Sequence, residues 1–497
     1  MSATNDRKVV INKRQKGLSR EALGELSQTE LIDKIVQLEA YNFQLRNLLH
    51  KKLTEHDRSN AEYAELLGKE TAATATAPKE TTTHSGKVKK QRKFDWSIAH
   101  QRHVLLKLTY FGWDYQGFAC QEDSNDTIES HLFRALTRTC LIESRATSNY
   151  HRCGRTDKEV SAFCQVISID LRSKHTPDTQ LEPASLSSEI DYCGLLNRVL
   201  PKNIQCVAWM PLRSPVYSAR FDCTSRSYRY YFPKGDLDIE AMREACKLLV
   251  GHSDFRNFCK MDVHNGVTKF IRNLQAARVE PCVEMLNNSG YDMYYLEIQA
   301  NAFLWHQIRC IMAVLLLVGQ RRELPRIVSD LLDVETNPCK PQYTPALGLP
   351  LNLFHCNFRD TTTRKVNLPA DGAEDDEAMD TSAMDVESSE SPAEEKDITS
   401  WIYNEENLEK LIENIQCEWT EFSVKSTMIR NVLQQLEHLL EKNYHIKERV
   451  TAQVILLQDS VKPREYQPLL ERKRCESLEN RIEHFVKKQR LIVKDES

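Results

Sequence analysis

The chain has 497 residues, of which 41% are hydrophobic and 28% are charged, and its formal net charge is −4. This length exceeds one ordinary domain, and the composition is that of a globular protein with polar appendages. The longest apolar run, residues 311–318, is too short to cross a bilayer. We therefore expect no membrane partner.

The cysteines predict free thiols. There are fifteen, an odd number without a Cys-x-x-Cys pair, which favours a reducing cytosolic or nuclear setting and argues against a zinc site. The sequence has neither a Gly-x-Gly-x-x-Gly nor a Walker motif, so a nucleotide-cofactor fold has no support. We expect neither a metal nor a cofactor.

The first segment, residues 1–68, predicts a helical module. Leucines recur every seven residues, at Leu31, Leu38 and Leu45, and Asn42 falls at the complementary heptad position. This pattern favours a parallel two-stranded coiled coil whose register the asparagine fixes. The alternative is a single amphipathic helix that docks on its own chain.

Residues 69–98 lack hydrophobic periodicity and predict a linker rich in Thr and Ala. Five of the seven residues in 87–93 are basic, which indicates either a nuclear import signal or a patch that contacts phosphates. We therefore predict a protein of both nucleus and cytoplasm.

Residues 99–360 predict the main folded body, in which strands alternate with helices. The predicted strands cover 103–110, 163–171, 225–232 and 293–300. One helix is predicted to open with Asp126-x-x-Glu129 as a capping box, and a second to begin near Asn301. These elements indicate an α+β fold built on an antiparallel sheet.

Two of these elements carry a specific burial pattern. The strand 163–171 alternates Ile167 and Ile169 with Ser168, which predicts a strand with one buried face. The helix near residue 301 shows an apolar stripe on one face, formed by Leu304, Ile308, Ile311, Met312 and Leu315.

The loop before the strand 163–171 carries a candidate catalytic group, Asp157. Strand entrances are where loops carry chemistry on a rigid scaffold, although an Arg-Thr-Asp tripeptide alone would indicate only a solvated loop. The nine-residue run 154–162 resembles the active-site motif of the TruA family of tRNA pseudouridine synthases, in which the aspartate is the nucleophile. Glu159 stands where that family usually has glycine, a residue that permits a positive φ.

The resemblance extends over most of the body, through the motifs at 110–117, 218–221, 251–258, 300–319 and 345–350. It implies an α+β pseudouridine synthase fold with an RNA-binding cleft, an isomerase activity without a cofactor, tRNA as partner, and a homodimer. The leader and tail resemble those of the eukaryotic members of the family that modify positions 38 and 39 in the anticodon stem-loop.

The resemblance also implies roles for single residues. Asp157 would be the nucleophile, Arg309 would pair with it and keep it ionised, and Tyr228 would stack on the uracil, where its hydroxyl could take the C5 proton. The further substrate-binding candidates are Arg155, which would hold the flipped nucleotide open, Thr156 and Lys158.

Each role has a plainer alternative. Tyr228 shares a strand face with Tyr230 and Phe232 and could be part of the core, while Arg309 could bind only backbone or phosphate. Arg155 could be a surface phosphate contact. For the whole chain, the alternative is a catalytically silent tRNA-binding protein of the same fold, which the presence of all three catalytic candidates disfavours.

Two segments complete the chain. Residues 371–397 hold twelve Asp or Glu and one Lys, a local charge of −11, so the rest of the chain carries +7. We predict that 361–399 is an acidic disordered insert, either a plain spacer or a docking site controlled by phosphorylation. Residues 400–497 predict a helical extension that completes the catalytic region. The positive charge of the remainder is compatible with a nucleic-acid ligand.

Overall fold

The computed structural model of the protein describes residues 8–11, 94–121, 126–283, 289–359, 401–446, 452–458, 465–488 and 491–494. The predicted coiled coil, the basic run at 87–93 and the acidic insert lie outside the described residues. Within these ranges we find no helix that combines the length and the apolar character needed to span a membrane.

The strands are β1 (Lys8–Ile11), β2 (His100–Tyr110), β3 (His151–Arg152), β4 (Ser161–Ser173), β5 (Ile204–Pro211), β6 (Cys223–Pro233), β7 (Gly251–Asp254), β8 (Ile271–Pro281), β9 (Met293–Ala300), β10 (Leu351–Phe358) and β11 (Leu491–Lys494). The helices are α1 (Ile128–Arg138), α2 (Ala184–Ser188), α3 (Tyr192–Asn197), α4 (Ile239–Lys247), α5 (Gln307–Gly319), α6 (Ile327–Leu332), α7 (Glu405–Tyr444), α8 (Ala452–Leu456) and α9 (Leu478–Lys487).

Nine strands form one mixed sheet in the order β5-β2-β4-β10-β6-β9-β8-β7, with β3 paired to β4. All pairs are antiparallel except the central pair, β4 and β10. The predicted α+β class with a mostly antiparallel sheet is therefore confirmed. Strands β1 and β11 form a separate antiparallel pair.

The central parallel pair brings distant parts of the chain to one end of the sheet. Ala162 at the start of β4 pairs with Tyr110 at the end of β2 and with Leu353 near the start of β10. Leu353 in turn pairs with Tyr228 of β6, whose other neighbour is Ile298 near the end of β9. The loop after β2 and the loops before β4 and β10 therefore meet at the same edge.

The prediction that β4 has only one buried face is wrong for its central part. Ser168 is 0% exposed, like Ile167 and Ile169 on either side of it. The strand lies between β2 and β10 inside the sheet and is covered on both faces. The Ser168 hydroxyl is satisfied because it accepts a hydrogen bond from the backbone N–H of Ala219 at 3.1 Å.

The five residues of the predicted apolar stripe are all buried, and the burial also extends over the other faces of α5. Every residue from Gln307 to Gly319 is buried except Arg309. Helices with apolar residues on all faces belong to the interior of large domains. Arg309 is thus the only charged residue of this helix, and the only one of its residues that is not buried.

The predicted start of α1 is wrong by one residue. Thr127, not Asp126, caps the helix, and its side-chain oxygen accepts from the backbone N–H of Ser130. Glu129 does not fold back to form a capping box. Its carboxylate points into a buried cluster instead.

That cluster fixes the segment that leads to the Asp157 loop. The Glu129 carboxylate accepts hydrogen bonds from the Tyr150 hydroxyl at 2.6 Å, from Arg152 at 2.7 Å and from Arg145 at 3.1 Å. Burial acts to raise the pKa of Glu129, but these partners and the N–H of Cys120 outweigh it and lower that pKa.

The C-terminal residues pack onto the body at several points. Ile402 and Trp209 exchange two backbone hydrogen bonds, and the N–H of Leu347 donates to the carbonyl of Leu457. The Glu323 carboxylate accepts from the N–H of Leu469 at 2.7 Å. By contrast, Leu411 is the one buried residue of the 40-residue helix α7.

Replacement of Glu129 tests the cluster. Glu129→Ala should lower the free energy of unfolding by about 3–5 kcal/mol, because it leaves Arg152 without its buried carboxylate. Urea denaturation would measure the change. The matched control is Glu143→Ala at an exposed position of the next loop, which should stay within about 0.5 kcal/mol. Equal effects for the two variants would contradict the structural role of Glu129.

Candidate active site

Asp157 lies in a tight turn directly before β4. The carbonyl of Asp157 accepts from the N–H of Val160 at 3.2 Å, and the N–H of Glu159 donates to the carbonyl of Tyr115 at 3.2 Å. Glu159 has φ 67°, so the left-handed conformation suggested by the family's glycine is present here with a glutamate. A non-glycine residue holds this conformation only where its surroundings fix it.

Two glycines allow other segments to approach this turn closely. A Cβ atom added to Gly112 would lie 2.0 Å from the carbonyl oxygen of Val160, and one added to Gly348 would lie 2.9 Å from that of Lys158. Neither distance can be accommodated without movement of the backbone. The turn is therefore held between the loop after β2 and the segment before β10 by direct backbone contact.

The Asp157 carboxylate is 26% exposed and faces two basic side chains of the α5 region. Its Oδ2 lies 3.5 Å from Nε2 of His306 and 3.9 Å from Nη1 of Arg309. Arg309 also donates from Nε to the carbonyl of Ala346 at 2.7 Å. Arg309 thus lies beside Asp157, as the family resemblance implies. It also binds a backbone carbonyl, which was the alternative interpretation of this residue.

The pKa of Asp157 is raised above its ordinary value. Burial is the largest cause, and the opposing influences are Arg309, a hydrogen bond from Trp305 and the charge of Lys260. Desolvation therefore exceeds the attraction of the two cations. A carboxylate in this state is poorly solvated and more basic than a surface aspartate.

His306 was not among the sequence candidates, although it stands within the motif that contains Arg309. It occupies the left-handed position, φ 58°, directly before α5. Burial, Arg309 and Lys260 lower the pKa of His306 to about 4, so its imidazole is neutral near pH 7. Its Nδ1 is buried and has no hydrogen-bond partner among the described residues. Its Nε2 lies 3.4 Å from Nη1 of Arg309 as well as 3.5 Å from Oδ2 of Asp157, so it can accept a hydrogen bond from the guanidinium.

Tyr228 is largely buried on β6. Its ring meets that of Phe303 edge-to-face, with the centroids 5.3 Å apart, and its hydroxyl lies 3.9 Å from where a Cβ of Gly154 would be. Burial raises its pKa well above 10. The ring therefore lies beneath the first residue of the motif 154–162 and carries a neutral phenol.

The three remaining candidates are placed differently. Arg155 and Lys158 are exposed on the two sides of Asp157, where a bound polymer can reach them. Thr156 is buried, and its hydroxyl forms a hydrogen bond of 2.9 Å with the Tyr110 hydroxyl. The structure thus gives Thr156 an anchoring position rather than one that faces a substrate.

Three buried thiols lie next to this loop. The sulfurs of Cys153, Cys223 and Cys356 lie within 4.8 Å of one another, and Cys153 directly precedes Gly154. Three thiolates could ligate a metal ion. The sequence spacing did not reveal this cluster, because its three cysteines are far apart in the chain. The Arg226 side chain next to them donates to the carbonyl of Cys153 at 2.7 Å.

The chain is similar to proteins that act on tRNA. Residues 245–359 match the family model described as tRNA pseudouridine synthase, a range that includes Arg309 but not Asp157. The tRNA pseudouridine(38/39) synthase of Bos taurus is 41% identical over 427 residues, covering 81% of this chain and 80% of the relative. The human protein of that name is 39% identical, covering 91% and 90%. The Saccharomyces cerevisiae protein is 38% identical, covering 62% and 70%.

The raised pKa of Asp157 predicts that its charge costs stability. Between the ordinary Asp pKa of 3.8 and the folded value, the native state binds more protons than the unfolded state, so stability falls as pH rises through this window. Asp157→Asn should therefore raise the Tm at pH 7 by roughly 2–4 °C. The gain should vanish below about pH 3.8, where the aspartic acid is neutral in both states.

Thermal unfolding followed by circular dichroism from pH 3 to pH 8 would measure this difference. The exposed Asp236, changed to Asn, is the matched control and should show little change in Tm. A lower Tm for Asp157→Asn at pH 7 would mean that the attraction of Arg309 exceeds the cost of burial.

Proposed function

The chain belongs to the tRNA pseudouridine synthase family, and on that premise we propose that it isomerises uridine to pseudouridine in tRNA, with Asp157 as the nucleophile. The observation that carries this proposal is the setting of the Asp157 carboxylate. It is reachable from solvent, held on a rigid turn, and made more basic by burial.

The reaction rearranges one nucleoside without net gain or loss of atoms. The N1–C1′ bond breaks, the uracil turns, a C5–C1′ bond forms, C5 loses a proton and N1 gains one. Such a rearrangement needs a nucleophile, a pocket that retains the detached base, and extrusion of the nucleotide from its stem. The poorly solvated carboxylate of Asp157 suits the first requirement, because a weakly hydrated anion is a better nucleophile.

Arg309 and His306 would set the charge and orientation of that nucleophile. Arg309, 3.9 Å away, favours the ionised form of Asp157, and its own position is fixed by the bond to Ala346. The neutral imidazole of His306 lies near both groups, 3.4 Å from Nη1 of Arg309 and 3.5 Å from Oδ2 of Asp157. It would help to hold the guanidinium beside the carboxylate without adding a charge.

Tyr228 would stack on the target uracil. Its ring is fixed by Phe303 and by the strand pairing of β6, so the stacking surface exists before RNA binds. Because its pKa is raised well above 10, the hydroxyl would act as a relay for the C5 proton rather than as a phenolate. Arg155, exposed beside Asp157, would enter the space left by the extruded nucleotide.

The substrate positions are a finer part of the proposal. The names of the bovine, human and yeast relatives specify positions 38 and 39 of tRNA, so we propose the same positions for this chain. We also propose a homodimer, and residence in both nucleus and cytoplasm on the basis of the basic run at 87–93.

Loss of the carboxylate separates catalysis from binding. Asp157→Ala should abolish pseudouridine formation in an anticodon stem-loop substrate, whereas the tRNA dissociation constant should change by less than about three-fold, because phosphate contacts dominate affinity. Single-turnover assays and filter binding measure the two quantities. Asp236→Ala should behave like wild type. Pseudouridine formation by Asp157→Ala protein would refute the nucleophile, and a wild-type protein that binds but does not convert would favour a silent binding protein.

Removal of the Tyr228 hydroxyl separates stacking from proton transfer. Tyr228→Phe should bind tRNA as tightly as wild type because the ring remains, and the single-turnover rate should fall by roughly 10²-fold, the scale of general acid–base catalysis. Tyr228→Leu should lose affinity as well. If the Phe variant reacts at the wild-type rate, Tyr228 contributes only its ring.

A further inference from the structure

A basic cavity of about 410 Å³ lies next to the Asp157 site. Three of its lining residues are Lys260, Lys340 and Arg481, and none of the residues that line it is acidic. A concave site with convergent cations and no carboxylate favours an anionic ligand. The partners of each cation decide whether these charges are already neutralised by the protein.

Lys340 is buried among neutral groups. Its amino group donates to the carbonyl of Cys259 at 2.9 Å and to the sulfur of Cys310 at 3.2 Å, and it lies 4.4 Å from the centre of the Tyr343 ring. The side chain is only 8% exposed. A buried cation that is surrounded by neutral partners is costly unless an anion compensates it.

Arg481 of α9 reaches the same cavity from the C-terminal part of the chain. Its Nη1 donates to the carbonyl of Met261 at 3.2 Å, whereas its Nε is buried without a hydrogen-bond partner in the described structure. Oε2 of Glu476 lies 3.9 Å from this Nε, but the Glu476 side chain is 71% exposed, so its attraction is weakened by solvent. The Arg481 guanidinium is therefore only weakly compensated by this carboxylate.

Lys260 connects the cavity to the catalytic carboxylate. Its amino group lies 4.0 Å from the centre of the Trp305 ring, and its backbone N–H donates to the Trp305 carbonyl at 2.9 Å. Trp305 directly precedes His306, which lies 3.5 Å from Asp157. An anion bound by Lys260 would thus lie near the residues that contact the Asp157 carboxylate.

We propose that this cavity binds a backbone phosphodiester of the tRNA next to the target uridine, with Lys260, Lys340 and Arg481 as its ligands. The inference rests on the proposed function, because that function places an RNA strand at Asp157. Arginine and lysine are the side chains that bind phosphate most often, and a strand that enters the active site must carry phosphates on both sides of the extruded base. The phosphate would also fix the register of the strand.

The subsite depends on the C-terminal extension. Lys260 and Lys340 lie inside the range that matches the family model, residues 245–359, whereas Arg481 lies far outside it. The α9 helix is held in place by contacts such as that of Phe485 with His264, whose ring centroids are 5.9 Å apart. The extension would therefore contribute directly to substrate binding.

The test uses the full-length protein with the paired change Lys260→Gln and Arg481→Gln. The tRNA dissociation constant should rise roughly ten-fold at physiological salt, and the slope of log K against log salt should become shallower by about 1. Lys247→Gln, an exposed lysine on α4 that does not line the cavity, controls for the loss of a positive charge. Arg481→Lys should restore part of the affinity.

A second arm is independent of RNA. Inorganic phosphate should raise the Tm of the wild-type protein, and this rise should be lost in the double variant even if the wild type proves unable to modify tRNA. Equal affinity and salt slope for wild type and double variant, with both folded as judged by circular dichroism, would overturn the proposal. A response to phosphate without any effect on tRNA binding would overturn the assignment to tRNA, since the cavity would then take a free phosphate.

Discussion

The position of the catalytic carboxylate depends on close backbone packing around the turn 156–160. Gly112 and Gly348 let two other segments touch this turn without an intervening side chain. Those segments are in place because β2, β4 and β10 are neighbours in the sheet, with the last two parallel. A parallel pair directs the loops before both strands to the same edge, so the sheet topology itself produces the contact.

The electrostatics of the site follow from this packing. Enclosure raises the pKa of Asp157, and the cations around it only partly offset that effect. The same enclosure lowers the pKa of His306, which keeps its imidazole neutral beside the carboxylate. The surroundings of Asp157 thus hold more basic groups than acidic ones. Such a charge distribution favours the binding of a polyanionic strand.

The segment after the acidic insert belongs physically to the body. Leu457 bonds to Leu347, next to the glycine that contacts the Asp157 turn, and Leu469 bonds to the carboxylate of Glu323. Residues that follow the insert therefore support the site through the 345–350 segment. Loops tolerate long insertions at small entropic cost, so an insert between β10 and this segment does not prevent the packing.

The sequence by itself determined the local features. Period-2 patterns, the motif around Asp157 and its family resemblance predicted the strands β6 and β9, the α+β class and the candidates Asp157, Tyr228 and Arg309. These follow from the sequence because side-chain alternation and short motifs are properties of neighbouring residues. The glycine usual at position 159 indicated a positive φ there, but only the structure showed that Glu159 adopts it.

Only the tertiary structure decided which faces are buried and which distant groups meet. The double burial of β4 and the full enclosure of α5 depend on neighbours that no local pattern encodes. Glu129 does not form the expected capping box, because its carboxylate accepts hydrogen bonds from Tyr150 and Arg152 instead. A buried carboxylate that lost these partners would destabilise the fold more than an unfilled helix cap does. The approach of His306 to Asp157, and of Arg481 to Lys260, likewise results from packing across more than a hundred residues of chain.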